Sequence, residues 1–480
     1  MNTRILMNLL GKGVLFFSLA MVLPLLVSFF YGDDDCFALA CGVAVGITVG
    51  LAMLLTSLKP TGELRSREGF LFVTLAWTIA GLLGAIPFRV SGYIPSYIDA
   101  LFETVSGFTT TGASILVNVE MLPHGLLLWR SLTQWLGGMG IIVLTIAILP
   151  YLGVGGMQIF KAESPGPSLD KLKPRITETA KLLWGIYVGF TFLEIILLKV
   201  GGMSIFEATC HSFTTMATGG FSPRNASIGA YHSAYIDAVI TIFMLIAGTN
   251  FALHYAGLRG NLRRYLASQE FRWYVGIYII GSLMILWSVW GFFATPVDAL
   301  RFVTFQASSI LTTTGFATYD YVLWPVAAQV MLLFLMVIGG CAGSTGGGIK
   351  VMRLGILMKM AHREIKKLVH PHAVLTIKWD KVPVPADVLN SIVGFSIFYT
   401  LLFVIASLIM AMMNLDFATS ISSVIACMSN IGPGLASVGP MENYAHISGL
   451  GKVVLTFCML VGRLEIYTVF VVLSPVFWRR

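Results

Sequence analysis

Four short stretches of this sequence close on glycine after small residues that carry a hydroxyl or an amide. They are Phe108-Thr109-Thr110-Thr111-Gly112-Ala113, Met216-Ala217-Thr218-Gly219-Gly220-Phe221, Leu311-Thr312-Thr313-Thr314-Gly315-Phe316 and Ser429-Asn430-Ile431-Gly432-Pro433-Gly434. None contains a charged side chain, so any chemistry they do belongs to the backbone. Carbonyl oxygens of such a turn can replace the water shell of a cation. Glycine permits the angles that aim those carbonyls, and threonine adds hydroxyls that can hold the turn. Upstream of each stretch stands an acid, in Ile98-Asp99-Ala100, Phe206-Glu207-Ala208, Val297-Asp298-Ala299 and Leu415-Asp416-Phe417-Ala418. An acid suits the positive end of a short helix, whose opposite, partly negative end then faces the glycine turn and favours a cation there.

A single TTTG would equally fit helix packing, because Gly, Ser and Thr line helix contacts in lipid. Four copies, each between two apolar runs and each on the same side of them, form an internal repeat and read as re-entrant pore loops. The expected filter residues are Thr110, Thr111 and Gly112; Thr218, Gly219 and Gly220; Thr313, Thr314 and Gly315; and Asn430, Ile431 and Gly432. The fourth loop, with Asn430-Ile431 in place of a threonine run, departs most. In the second, Gly220 is preferred to Gly219 because Gly220-Phe221 matches Gly315-Phe316.

The elements that position these loops must be membrane spans. The chain has 480 residues, 56% hydrophobic and 11% charged, with a mean hydropathy of +0.83, whereas soluble domains are about one quarter charged. Apolar runs of the length that crosses a bilayer fall at about 12–31, 36–57, 69–92, 124–150, 176–200, 232–258, 271–294, 323–360, 386–413 and 449–476. Net charge is +8, but the basic residues form no single patch with interleaved aromatics, which argues against nucleic acid. Arg4 and Lys12, Lys59, Arg65 and Arg67, Lys161, Lys171, Lys173 and Arg175, Arg259, Arg263 and Arg264, Arg363, Lys366 and Lys367, and Arg479 and Arg480 flank alternate ends of the runs. The opposite connections carry acids such as Asp33, Asp34 and Asp35, or little charge. By the positive-inside pattern both termini are cytoplasmic and the number of spans is even. The six cysteines lie singly and without CxxC spacing, as buried free thiols.

The expected architecture is an all-α integral membrane protein. Four helix, pore-loop, helix repeats at 69–155, 175–265, 270–368 and 384–480 stand in pseudo-fourfold arrangement around a central pore, after an N-terminal transmembrane hairpin at 1–68. In its four loops, in Gly137-Gly138-Met139-Gly140-Ile141, in Gly339-Gly340-Cys341-Ala342-Gly343-Ser344-Thr345-Gly346-Gly347-Gly348-Ile349-Lys350, and in Gly462-Arg463-Leu464-Glu465-Ile466-Tyr467, the sequence resembles the bacterial Trk-type potassium-uptake pore subunits, relatives of the Ktr and plant HKT transporters. The hairpin before residue 68 is closer to the Trk branch. The resemblance implies a potassium filter at Gly112, Gly220, Gly315 and Gly432, formed within one chain, and pairing of two chains as a homodimer in the bacterial inner membrane. It also implies a cytosolic nucleotide-binding regulatory partner of the RCK, TrkA-like kind, on the basic face near Arg363 to His372, and no cofactor beyond the transported potassium ion. Relatives with serine at the first filter position tend to pass sodium; here that position is Gly112.

The stretch from Gly339 to Gly348 would break a helix, since each interior glycine costs about 1 kcal/mol relative to alanine. In similar proteins it is an intramembrane loop below the filter, so Gly343, Ser344, Thr345, Gly346, Gly347 and Lys350 are the expected gate. Arg463 and Glu465 lie inside the last apolar run, where charges must face protein or water. Similar proteins place an arginine there beneath the filter, where its charge would be an electrostatic barrier; Glu465 would hold a neighbouring backbone group or cation, and the alternative reading of the two is a structural ion pair near the cytoplasmic end. Lys350 and Arg353 could snorkel to the inner interface. Arg130, Glu194 and Asp237 receive no role beyond packing or interface placement, and His211 is structural.

The nearest alternative is a proton- or sodium-coupled potassium symporter, but the loop tips hold no acid or histidine and the repeats share one orientation instead of being inverted. No paired histidines suggest an ammonium channel. No nucleophile elbow, phosphate loop or metal-spaced set suggests an enzyme.

Overall fold

The computed structural model describes residues 2–57, 66–147 and 172–479. The basic residues Lys59, Arg65, Lys161, Lys171 and Arg480, and the end of the fourth expected span at 148–150, lie outside the described residues. Thr3–Ala20 and Val22–Tyr31 form one span that turns at Asp33–Asp35 into Cys36–Thr56. This hairpin closes through small residues. A side chain at Gly50 would come within 2.8 Å of Leu15, and one at Gly46 would collide with Ser18, the close approach that lets helices associate in lipid. The acids of its turn then hold the start of another helix. Leu126 N donates to Asp35 at 2.7 Å and His124 N to Asp33 at 2.8 Å, so two N-terminal amides of His124–Ala147 are satisfied at the positive end of its dipole.

Four helix, short helix, helix units follow. In the first, Ser66–Gly84 with Ile86–Val90 leads to Tyr97–Phe108 and His124–Ala147. In the second, Leu172–Val200 leads to Ile205–Met216 and to Ala234–Ala247 with Phe251–Leu258. In the third, Gln269–Ser288 leads to Pro296–Leu311 and to Val326–Ile338 with Val351–Val369. In the fourth, Ala386–Ala411 leads to Phe417–Met428 and to Gly449–Arg463 with Ile466–Leu473. Strand is confined, among the described residues, to an antiparallel pair with Lys378 opposite Pro383 and Trp379 opposite Val382. Large apolar side chains such as Phe29, Phe192, Trp287 and Leu408 remain exposed on the long helices, whereas the short helices are packed inside. Such a surface suits hydrocarbon.

Three expectations are corrected. The run at 232–258 is not one continuous helix: it bends by 103° between Ala247 and Phe251. Asn250 restarts the helix there by accepting from Ala252 N at 2.8 Å, and Phe251 N donates to Gly343 O at 3.1 Å. The run at 449–476 bends by 115° between Arg463 and Ile466, where Glu465 takes φ 65°. The cysteines are free, but Cys36 and Cys41 are only half-buried, because they lie on the outer hairpin.

Candidate functional site

The four short helices begin and end alike. Ser96, Ser204 and Thr295 cap their helices by accepting from Asp99, Glu207 and Asp298 N, so the acid sits in the first turn; in the fourth, Asp416 is itself the cap, accepting from Thr419 N. At the far ends, Thr110, Thr218, Thr313 and Asn430 take left-handed backbone with φ between 53° and 61°. Their N–H groups donate three residues back, to Gly107, Thr215, Ile310 and Cys427. The next N–H groups, of Thr111, Gly219, Thr314 and Ile431, each reach five residues back at 2.8 Å. This is a Schellman closure with threonine or asparagine where glycine is usual.

One residue further, Gly112, Gly220, Gly315 and Gly432 are again left-handed, with φ from 77° to 94°. In the second loop Gly220 is thus the glycine in register, and Gly219 has no positive φ. A Cβ on Gly112 would collide with Gly219 O, on Gly220 with Thr314 O, and on Gly315 with Ile431 O. On Gly432 it would stand 2.7 Å from Thr111 O. Each glycine therefore backs onto the carbonyl that precedes the next glycine, and the fourth returns to the first. The loops close a ring in chain order.

These loops are buried, yet most of their carbonyls are unpaired. From Thr110 to Gly112, Thr218 to Gly220, Thr313 to Gly315 and Asn430 to Gly432, only two carbonyls accept a hydrogen bond from a described residue. Gly219 O accepts from Gln134 Nε2 at 2.7 Å and Gly432 O from the Tyr444 hydroxyl at 2.7 Å. An unpaired buried carbonyl in an apolar body costs several kcal/mol unless water or a cation meets it. The side chains brace the ring. Thr109 and Thr111 hydroxyls lie 2.8 Å apart, as do those of Thr312 and Thr314. In the fourth loop Asn430 Nδ2 donates to Thr111 Oγ1 at 2.9 Å and to Met459 O at 3.0 Å, so the amide takes the place of the missing threonines.

The segment between Ile338 and Val351 is not helical, with left-handed Gly339, Gly343, Gly348 and Lys350. It bonds to three of the four loops. Thr345 Oγ1 donates to Met216 O at 3.0 Å, Gly347 N to Thr313 Oγ1 at 2.6 Å, and Gly348 N to Ser429 O at 3.1 Å. Lys350 Nζ turns back to Gly346 O, and Ser344 Oγ donates to Cys341 O at 2.6 Å. From the last repeat, Arg463 reaches the same segment. Its Nη1 donates to Thr345 O at 2.6 Å and its Nη2 to Gly137 O at 3.4 Å. It has no carboxylate partner among the described residues.

Glu465 instead pairs with Arg353 at 2.6 Å. That corrects the expectation that Arg353 snorkels to the interface. It is 4% exposed and its charge is met inside, by Glu465 and by the face of Phe395 at 4.1 Å.

Several contributors were missed in the sequence. Arg130, given no role, donates to Glu103 at 2.6 Å and to Ser222 O at 3.0 Å, and lies over the Phe221 ring at 3.7 Å. Glu103 also accepts from Ile115 N at 2.9 Å, so this pair ties the first loop to the second. Asp237 pairs with Arg301 at 2.7 Å and Lys452 with Asp99 at 2.6 Å, linking the second repeat to the third and the fourth to the first. Glu194 is buried, and among the described residues neither carboxyl oxygen has a partner in good hydrogen-bond geometry; its polar neighbour Thr215 donates to His211 O at 2.7 Å. Both His211 nitrogens are engaged, by Glu207 O at 2.8 Å and Ser222 Oγ at 3.0 Å.

Comparison with known proteins agrees with this architecture. The family model described as TrkH, a cation transport protein, matches residues 37–273 and 295–479. The chain is 43% identical to the Trk system potassium uptake protein TrkH of Salmonella typhimurium strain LT2, and equally to that of Escherichia coli K12, with 100% of each chain covered. The crystal structure of the potassium transporter TrkH from Vibrio parahaemolyticus is similar with a TM-score of 0.92 and 38% identity, again covering 100% of both chains. Fold and matches together define a multi-pass membrane transport protein, not an enzyme. Within that class, the chain belongs to the TrkH family of cation transport proteins.

Proposed function

We propose that this protein takes up potassium across the bacterial inner membrane through a selective pore formed by its four re-entrant loops. The observation that carries the reading is the closed ring of glycine-to-carbonyl contacts, whose buried carbonyls mostly lack a donor among the described residues. A dehydrated cation supplies what those oxygens lack, and the four short helices aim their partly negative ends at the same place. Thr110, Thr111 and Gly112, Thr218 to Gly220, Thr313 to Gly315 and Asn430 to Gly432 form the filter, with Gly220 as the second loop's filter glycine. The relatives named for potassium uptake support potassium as the ion.

Gly343 to Lys350 gate this pore from below. Arg463 holds the gate through Thr345 O and adds a positive barrier to an approaching ion. Two chains pair as a homodimer with both termini in the cytoplasm, and a nucleotide-binding regulatory subunit of the RCK, TrkA-like kind docks on the basic inner helix near Arg363. Neither is needed for the filter itself.

The test is flux through purified protein in liposomes, with potassium, rubidium and sodium gradients, each with and without a proton gradient. Potassium and rubidium flux above sodium and indifferent to the proton gradient is expected. Flux that requires a proton or sodium gradient would replace the pore with the coupled symporter.

A further inference from the structure

One residue bridges the candidate filter from outside the four loops. Gln134 lies on the first repeat's helix His124–Ala147 and is fully buried. Its Nε2 donates to Gly219 O at 2.7 Å, and its Oε1 accepts from Phe221 N at 3.0 Å. The two bonds fix the orientation of the amide, because a carbonyl can only accept and an N–H only donate. They also bracket Gly220, the glycine in register with Gly112, Gly315 and Gly432.

The bridge explains an oddity of the second loop. Positions 111, 314 and 431 carry Thr, Thr and Ile, but position 219 is glycine. A Cβ at Gly219 would collide with the Gln134 amide. Glycine is required there to admit a side chain from another helix, and not by its own backbone angle, since Gly219 is outside the positive-φ set.

The consequence for the ring is an imposed inequality. Thr111, Thr314 and Ile431 carbonyls accept no hydrogen bond from a described residue, whereas the equivalent Gly219 carbonyl is already occupied. A carbonyl that donates electron density to an amide N–H is a poorer ligand for a cation and is less free to move toward a smaller one.

We propose that Gln134 is a specificity-determining positioning residue for alkali-cation passage. It pins both sides of Gly220, so the second loop cannot contract around a smaller cation, and it leaves three unequal partners to the Gly219 carbonyl at that level. The inference rests on the pore reading above and deepens it.

The experiment compares wild type, Gln134→Met and Ser131→Ala in liposomes, measuring potassium, rubidium and sodium flux separately. Ser131 is buried on the same helix, donates to Leu127 O in its own turn and neighbours Cys210, with no bond to a filter residue among the described residues, so S131A should keep the wild-type ratio. Q134M keeps the length of the side chain and deletes both bonds. The potassium-to-sodium flux ratio is expected to fall by about tenfold, the order of two lost neutral hydrogen bonds, with sodium flux rising in absolute terms.

A Q134M protein that slows all three ions in proportion, or that keeps the ratio, would overturn the inference and leave Gln134 a packing residue. If Q134M does not survive purification, Gln134→Leu also deletes both bonds with an uncharged side chain and carries the same expectation. A wild-type protein without preference for potassium would instead overturn the pore reading, so the two failures are distinguishable.

Discussion

At the scale of single residues, left-handed backbone separates what can be exchanged from what cannot. Gly112 has φ 82° and faces Gly219 O with no room for a Cβ. Gly112→Ser therefore strains its own loop and pushes the second loop aside. We expect the potassium-to-sodium flux ratio to fall by about tenfold or more, given that such backbone strain is about 1–3 kcal/mol; an unchanged ratio in vesicles would contradict the filter assignment. Arg130 makes a different kind of demand. It is 4% exposed and its partner Glu103 is 1% exposed, so Arg130→Met leaves a buried carboxylate without its cation. A loss of about 3–5 kcal/mol is expected for a broken buried pair, read as a lower unfolding temperature in detergent, and Glu103→Gln in the same background should restore part of it.

At the scale of elements, the second helices of the later repeats are interrupted, and the interruptions meet. Phe251 N bonds to Gly343 O, Cys341 N to Gly248 O at 2.9 Å, and Arg463 to Thr345 O, so three breaks from three repeats brace one another beneath the loops. Deleting Ala342 to Gly346 removes the segment that bonds to Met216 O and to Arg463. Potassium flux should rise severalfold, and unchanged flux would show that the segment does not limit passage. Arg463→Ala removes only the brace and the charge, and should raise flux less than the deletion; reduced flux in a folded variant would mean the arginine assists passage. The glycine-dense break at 339–348 was legible in the sequence because so many helix-weakening residues stand together. The bends after Ala247 and Arg463 were not. Each is set by tertiary bonds, Asn250 capping a new helix beside Gly343 and Glu465 drawn to Arg353, with no proline or glycine cluster of comparable density to announce them. Gln134 was hidden for the same reason. A lone glutamine in an apolar helix gives no local sign of what it reaches, and only the unmatched glycine at 219 hints that something must fit there.

At the scale of the molecule, the fourfold plan was legible because it is written four times, in the spacing of acid, small-residue turn and flanking span. The ring closes within one chain, from Gly432 back to Thr111. Vesicles made from mixtures of wild-type protein and an inactive filter variant should therefore retain flux in direct proportion to the wild-type fraction. Retained flux that falls toward the fourth power of that fraction would mean that the pore is shared between chains.

The same closure bears on how the proposed filter can change over generations. In a ring of four identical subunits, one codon change alters every quadrant together, so most alterations are all or nothing. Here each quadrant has its own codons, and the four have already diverged: asparagine stands in one where threonine stands in three, and a single quadrant is buttressed by Gln134. On the pore reading proposed above, ion preference can be adjusted a quarter at a time, with three unaltered loops holding the aperture while the fourth is tried.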